Sequence, residues 1–163
     1  MTTTTTRGRF RIEDGQKRVR VFLDGECVAD STSVSLVWEK PYYPVYYFPQ
    51  SDVRMELLTA SGEEKRSPSR GTATLFNVKA GAKEAPDAAY AYPDPKIEEL
   101  AGLVAFHWSA MDAWFEEDEE VFVHARDPFT RVDALPSSRH IEVKINGVTV
   151  ADSTKPTLLF ETG

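Results

Sequence analysis

Large aliphatic residues alternate with other residues near the start of the chain, in the pattern of a β-strand with one buried face. The aliphatic positions are Val19, Val21 and Leu23, and side chains on a strand point to opposite faces with a period of two. Asp24-Gly25 follows immediately, and this dipeptide favours a type I′ hairpin turn because both central positions need positive φ. We therefore predict a hairpin with a second strand over about 26–29, and a third strand over about 34–39.

The same pattern returns near the C-terminus, where residues 139–162 align without a gap with residues 17–40, at an offset of 122. Asn146-Gly147 takes the place of Asp24-Gly25 and predicts a second turn of the same type. The identical positions, numbered in the first stretch, are Val21, Gly25, Val28, Ala29, Asp30, Ser31, Thr32, Leu36 and Glu39. We interpret the two stretches as an internal repeat of a three-stranded unit. Asp30-Ser31, after the second strand, is more typical of turn chemistry than of a functional site.

The segment between the two stretches is predicted to be mainly β-structure. Residues 41–49 place four tyrosines and a phenylalanine between prolines, which favours an extended conformation. Ser51 as an N-cap, with Val53, Leu57 and Leu58 on one face, predicts one short helix over 51–58. Alternation predicts further strands over about 72–78, 88–92 and 103–108, while the polar residues 62–71 predict a loop. The expected fold class is all-β, with antiparallel sheets and one short helix.

These elements divide the chain into four parts. Residues 1–16 form a flexible N-terminal arm that begins with the threonine run, and residues 17–108 form a complete β domain. Residues 109–138 are a connecting segment, and residues 139–163 begin a second, incomplete copy of the repeat. The aliphatic residues of the second hairpin would form an exposed apolar face if nothing covered them. We expect this hairpin to pack on the first domain, with dimerisation through its edge as the alternative.

Composition and charge narrow the functional classes. A hydrophobic fraction of 41% with 11% aromatic residues is typical of a packed globular core. The net charge of −7 argues against nucleic acid as a partner. A single cysteine, Cys27, excludes an intramolecular disulfide and a metal site with two thiolates. Because no apolar run reaches the length of a membrane span, we expect a soluble, cytoplasmic protein without membrane contact, metal or cofactor, as a monomer or homodimer.

A ligand pocket is the first candidate for a functional site. Tyrosines suit a pocket wall because each offers an apolar face and a hydroxyl, although they suit a cross-strand layer equally well. Within 62–71, the hydroxyls of Ser67 and Ser69 and the guanidinium of Arg70 form a candidate anion site, although a loop of this composition is more often merely solvated. We expect a pocket that binds a small, anionic molecule, with Glu39 and Arg70 as opposed charges. Its predicted walls are Tyr43, Tyr46, Tyr47, Tyr92 and Trp108.

A second candidate is the segment 124–139, which is dense in charged residues. Its residues predict a salt-bridged corner, for example between Arg131 and Asp133, or an acid–base site around His124. In the enzyme alternative, Glu39 or His124 is the general base of a transferase or hydrolase, and Arg70 or Arg126 holds a phosphate. The acidic run 116–120 is predicted to be a solvated face or loop. A third possibility is a non-catalytic protein-interaction module.

These motifs together resemble the DUF427 family, which also bears a nucleotidyltransferase label. The resemblance lies in VRVFLDGECVADS at 19–31, YYFP at 46–49, SPSRG at 67–71, AYAYP at 89–93, WFEEDEEVFVHARDPFTRVD at 114–133 and the second VADST. It implies a compact all-β fold of the β-tent type, with no securely known activity. Ser67 stands where many members have a cysteine, so a thiol role is lost. Members with two domains continue beyond the counterpart of Glu161, so we expect either a truncated two-domain protein or a natural short form.

The nucleotidyltransferase label finds no support in the residues themselves. Polymerase-type transferases use a Gly-Ser pair followed by aspartates that bind two metal ions, and the sequence contains no Gly-Ser pair. A fold resemblance does not by itself determine an activity. Ligand binding is therefore the primary functional hypothesis.

Overall fold

The computed structural model describes residues 4–7, 10–129 and 131–161. Residues 1–3, 8 and 9 of the predicted N-terminal arm lie outside the described residues. The strands are β1 (Thr4–Arg7), β2 (Phe10–Asp14), β3 (Val19–Leu23), β4 (Glu26–Ser31), β5 (Ser35–Trp38), β6 (Val45–Pro49), β7 (Leu58–Ser67), β8 (Gly71–Ala80), β9 (Lys83–Ala91), β10 (Leu103–Phe106), β11 (Ala113–Glu116), β12 (Glu119–Glu120), β13 (Val132–Pro136), β14 (Ile141–Ile145), β15 (Val148–Ser153) and β16 (Thr157–Glu161). Short 3₁₀ turns cover Gln50–Asp52, Met55–Leu57, Glu98–Leu100 and Trp108–Ala110.

Antiparallel sheets make up the fold, which confirms the all-β class. The larger sheet has the strand order β1-β2-β5-β6-β10-β9-β8-β7, and a second sheet has the order β12-β11-β3-β4. The predicted alternation of β3 is confirmed, because Val19, Val21 and Leu23 are at most 1% exposed. They belong to a buried apolar cluster that also contains Phe48 and Trp114, from one strand of each sheet. No helix in the described part of the chain is long and apolar enough to cross a membrane.

The predicted helix over 51–58 is wrong. Two 3₁₀ turns occupy the segment, and the Ser51 hydroxyl bonds to the Asp52 carboxylate instead of capping a backbone N–H. The backbone N–H of Arg54 donates to the carbonyl of Val28 at 2.9 Å, and Val53 forms an isolated bridge with Ala29. These bonds hold the segment against β4, and they use backbone groups that a helix would need for itself.

The predicted loop over 62–71 is also wrong. β7 continues to Ser67 and β8 begins at Gly71, so only residues 68–70 form the turn. The pairing register shifts between Ala60 and Glu64, around Gly62 with its φ of +88°. β7 is the last strand of the large sheet and its charged residues are exposed. Charged side chains on an edge strand discourage pairing with other chains, so the polar composition marks an edge and not a loop.

The strands β2–β5 and β13–β16 have matching registers at the same offset of 122. Arg11 pairs with Trp38 between β2 and β5, as Asp133 pairs with Phe160 between β13 and β16. In the hairpin β3–β4 the register shifts between Val21 and Phe22. In the hairpin β14–β15 it shifts at the corresponding position, between residues 143 and 144. Both predicted turns are confirmed, since φ is +49° and +76° at Asp24-Gly25 and +48° and +81° at Asn146-Gly147.

The expectation that the second hairpin packs on the first domain is wrong. Ile141, Val143 and Ile145 are 36%, 46% and 61% exposed, although their counterparts in β3 are buried. The connection is made instead at the base of the hairpin, where β13 pairs with β16. There, Arg139 bonds to the buried carboxylate of Glu117 at 2.5 Å. Within one chain, the apolar residues of the β14–β15 hairpin are thus exposed, while β13 contributes the buried Leu135.

Candidate functional site

The carboxylate of Glu39 is the centre of a polar cluster inside the aromatic region. Glu39 directly follows β5, and its Oε1 accepts hydrogen bonds from the hydroxyls of Tyr47 on β6 at 2.5 Å and Tyr90 on β9 at 3.0 Å. Its Oε2 lies 3.3 Å from Nη2 of Arg70. The network therefore unites three strands and the β7–β8 turn.

Arg70 is fixed by the turn in which it lies. Its backbone N–H donates to Oγ of Ser67 at 3.3 Å, and its carbonyl accepts from the N–H of Lys96 at 2.9 Å. The next residue, Gly71, has a φ of +106°, and an added Cβ would lie 3.1 Å from the carbonyl oxygen of Asp94. Nε of Arg70 donates to the hydroxyl of Tyr92 at 2.9 Å. The guanidinium is thus directed to Glu39 and Tyr92, and not to the surface glutamates of β7.

The protonation states of this cluster follow from burial and charge. Removal from water, followed by the neighbouring Tyr90 and Glu39, raises the pKa of Tyr47, while removal from water and the charge of Glu39 raise that of Tyr90. Both phenols therefore stay protonated and donate. Removal from water opposes the charge of Arg70, but the bond to Tyr92 and the charge of Glu39 outweigh it, so the pKa of the guanidinium is raised. The cluster is an ion pair held by neutral hydroxyls.

A cavity of about 240 Å³ opens beside this cluster. Two pairs of parallel rings contribute to its walls. Tyr43 stacks on His124 with centroids 4.2 Å apart and planes 8° apart, and Trp108 stacks on Trp114 at 4.4 Å and 7°. Tyr43 and His124 belong to two loops that lie far apart in the sequence, so their stack is not part of a sheet layer.

The charges that line the cavity are mainly positive. Lys40, Lys65 and Arg70 face a single carboxylate, that of Glu39. This excess of cations contrasts with the net charge of −7 of the whole chain. His107 also lines the cavity, and removal from water, followed by the charge of Lys65, lowers its pKa. The imidazole of His107 is therefore neutral at pH 7, because its pKa lies below the ordinary value of about 6.5.

One wall residue has an unfavourable backbone conformation. Val123 has a φ of +75° and is 79% exposed, and the N–H of His124 donates to the carbonyl of Phe122 at 2.9 Å. This is a γ-turn of the rare form with positive φ at its centre, and a β-branched residue there is an outlier. Strained backbone of this kind clusters at functional sites.

Most of the predicted site residues line this one cavity. They are Glu39, Tyr43, Tyr46, Arg70, Tyr92, Trp108 and His124. Tyr47 holds Glu39 through its hydroxyl but does not line the cavity. Arg126 lies elsewhere, where it bonds to Glu119 at 2.5 Å.

Sequence reasoning missed several lining residues, among them Lys40, Lys65, Tyr90, His107 and Trp114. Tyr90 and Tyr92 are two residues apart in AYAYP, so their shared strand face was a usable signal. Lys65 lies in the segment 62–71, whose polar composition predicts a loop. His107 directly follows β10 and showed no pattern of its own.

The acidic run 116–120 is not a solvated face, contrary to the prediction. Glu116 and Glu117 are 3% and 1% exposed. Glu116 accepts from Nζ of Lys17 at 3.0 Å and from the hydroxyl of Tyr46, and Glu117 accepts from the backbone N–H of Arg18 at 2.8 Å. The predicted ion pair of Arg131 with Asp133 is present, with Nη2 3.0 Å from Oδ1.

Lys17, Glu116, Arg131 and Asp133 line a second cavity of about 240 Å³, and Tyr46 lines both this cavity and the first one. Nζ of Lys17 also lies 2.5 Å from Oδ2 of Asp133, which joins the first domain to β13. Among the residues that the structure describes, no three His, Cys, Asp or Glu side chains lie close enough together to hold a metal ion.

The sequence profile of one family matches the chain over residues 11–117 and 133–163, and this family is described as a domain of unknown function, DUF427. These ranges cover more than half of the chain, so the protein belongs to the DUF427 family. The family profile also bears a nucleotidyltransferase label, NTP_transf_9. No curated protein matches the chain.

Proposed function

We propose that the cavity beside Glu39 and Arg70 binds a small anion-bearing molecule. The observation that supports this most strongly is the excess of three cationic side chains over one carboxylate in a concave, aromatic-lined site of an acidic protein. Positive potential in a cleft raises the local concentration of anions. Convergent polar groups in an aromatic-lined cavity are the usual composition of a ligand site.

Arg70 supplies the directed contact to the anion. Nε and Nη2 are engaged by Tyr92 and Glu39, while Nη1 has no hydrogen-bond partner in the described part of the chain. Because Glu39 and Tyr92 fix the plane of the guanidinium, Nη1 can donate to a ligand oxygen without losing its existing bonds. Lys40 and Lys65 add charge from exposed positions at the same cavity.

Orthophosphate and sulfate are suitable probes, titrated by isothermal calorimetry at low ionic strength. Arg70→Ala should weaken their binding by about 1.5–3 kcal/mol, the contribution of a hydrogen bond to a charged group. Arg66→Ala, which removes an exposed guanidinium of β7 outside the cavity, should leave binding nearly unchanged. Equal effects of the two substitutions, or no binding of either anion, would contradict the proposal.

The enzyme alternative retains one specific observation in its favour. His124, a candidate general base, directly follows the strained Val123, and its Nδ1 lies 2.7 Å from the carbonyl of Ala125. Nδ1 therefore carries the proton, so Nε2 is the acceptor in the neutral imidazole. A transferase or hydrolase would then bind the same anion and use His124 to activate a nucleophile. His124→Gln should abolish such turnover of an aryl phosphate without weakening orthophosphate binding, and no turnover by the unmodified protein would rule this alternative out.

A further inference from the structure

We propose that the molecule bound in this cavity carries an aromatic ring beside its anionic group, in the size class of a single substituted ring. This inference rests on the proposed anion site and adds the chemistry of the rest of the ligand. It follows from the rings that line the cavity, from the loops that carry them and from the cavity volume.

Four of the rings at the cavity form two stacked pairs, and three of these four rings keep accessible surface. Tyr43, His124 and Trp108 are each only partly buried, so each retains accessible surface in addition to the face that its partner covers. Aromatic rings attract other rings in offset-stacked or edge-to-face arrangements. Aliphatic groups would gain burial at these surfaces but not the attraction between π-systems.

The Tyr43–His124 pair is difficult to explain by the core alone. Tyr43 lies between β5 and β6 and His124 lies after β12, and neither residue belongs to a strand or to the buried apolar clusters. The two loops meet at the cavity through this stack, next to the strained Val123. As a wall against which the ring of a ligand packs, the Tyr43–His124 pair has a function that core packing does not provide.

The volume restricts the size of the ligand. Drug-sized ligands occupy cavities of about 300–1,000 Å³, and this cavity measures about 240 Å³. A nucleoside triphosphate belongs to the larger class, so the cavity does not enclose one. A ring with one phosphate or carboxylate is small enough to contact the stacked rings and the Arg70 guanidinium together.

Three probes test this inference on the intact protein: orthophosphate, phenyl phosphate and cyclohexyl phosphate. The two esters have a similar size and the same charge, and they differ in the π-system. Phenyl phosphate should bind at least fivefold more tightly than cyclohexyl phosphate in calorimetric titrations. It should also change the near-ultraviolet circular dichroism of the stacked Trp108–Trp114 pair, which orthophosphate should leave unaffected.

Substitutions at Tyr43 and Tyr42 test whether the aromatic wall causes the preference for the phenyl ester. Tyr43→Leu should reduce the ratio of phenyl to cyclohexyl affinity to about one while orthophosphate binding persists. Tyr42→Leu is the matched control, because Tyr42 is the neighbouring residue, is 79% exposed and does not line the cavity. If Tyr43→Leu does not fold, the affinity ratio of the unmodified protein decides the question alone.

The outcomes distinguish the aromatic ligand from the proposed anion site. Equal affinity for the two esters, with orthophosphate binding that depends on Arg70, would overturn the aromatic ligand and leave the anion site standing. If none of the three probes binds, both proposals are wrong. A preference for the phenyl ester that survives Tyr43→Leu unchanged would also overturn the assigned wall.

Discussion

Replacement of Lys17 by methionine tests the buried charge cluster between the first domain and the C-terminal strands. Nζ of Lys17 lies 3.0 Å from Oε2 of Glu116 and 2.5 Å from Oδ2 of Asp133, and the three side chains are 11%, 4% and 9% exposed. Methionine is an unbranched side chain of nearly the same length and carries no charge. Removal of one partner from a buried ion pair costs about 3–5 kcal/mol, because the remaining charge is uncompensated. We expect the lower end of this range, since Arg131 still neutralises Asp133.

The loss should depend on pH. Removal from water raises the pKa of Asp133, but the hydrogen bonds from Lys17 and Arg131 outweigh it, so the folded-state pKa is lowered. A carboxylate with a lowered pKa contributes stability above its unfolded pKa of about 3.9, and this contribution disappears as the pH falls through the folded value. Lys17→Met removes part of that contribution. The difference in unfolding free energy between the two proteins should thus be largest near pH 7 and shrink below about pH 4.

Urea denaturation at both pH values measures this difference. Lys144→Met is the control, because its ammonium pairs with Glu142 at a site where the two side chains are 53% and 35% exposed. Such surface pairs contribute about 0.2–1 kcal/mol. A Lys17→Met variant that loses no more stability than Lys144→Met, or whose loss grows on acidification, would refute the role assigned to the cluster.

Two further predictions each compare one substitution with a matched substitution at an exposed position. Val21→Ala should cost about 2–3 kcal/mol of unfolding free energy, because it empties fully buried space, while Val143→Ala at the corresponding but 46% exposed position should cost less than about 1 kcal/mol; equal losses in chemical denaturation would show that the second hairpin is covered. The imidazole of His107 should titrate below the ordinary histidine pKa in an NMR titration, and Lys65→Met should raise its pKa, since Lys65 is a cause of the lowering. The exposed control Lys79→Met should leave that titration unchanged, and the same rise with both substitutions would contradict the assignment.

The parts of the fold that the sequence predicts well are those set by neighbouring residues. Asp24-Gly25 and Asn146-Gly147 determine their turns through their own φ angles, and β3 buries the face that its alternation indicates. The helix over 51–58 failed because backbone bonds to β4 override the local preference. Likewise, the burial of Glu116 depends on Lys17, 99 residues earlier in the chain, and no local pattern reports such a partner.

The candidate site likewise contains residues that the sequence predicts and residues that it does not predict. The opposed charges of Glu39 and Arg70 were predictable from the chemistry of their motifs, and the structure brings them to 3.3 Å. His107 and Lys65 were not predictable, because they reach the cavity through the pairing of β10 with β9 and of β7 with β8. Arg126 has suitable chemistry, but Glu119 and the second cavity engage it instead.

The matching registers of the hairpins β3–β4 and β14–β15 have a consequence for how side chains are directed inward. Cross-strand pairs recur as Arg18 with Asp30 and as His140 with Asp152 at 2.9 Å, although the aliphatic residues of β3 are buried and those of β14 are exposed within the chain.

The same alignment therefore occurs with and without burial, and the two hairpins share the turn dipeptide, the bulge and the polar pair. A slip of one residue would exchange the inner and outer faces of a strand. The two-residue turn at the tip thus helps to fix the register of the whole hairpin. Because β3 is also held by its pairing with β11, an insertion at Asp24-Gly25 would shift β4 against β3 without altering a single core residue.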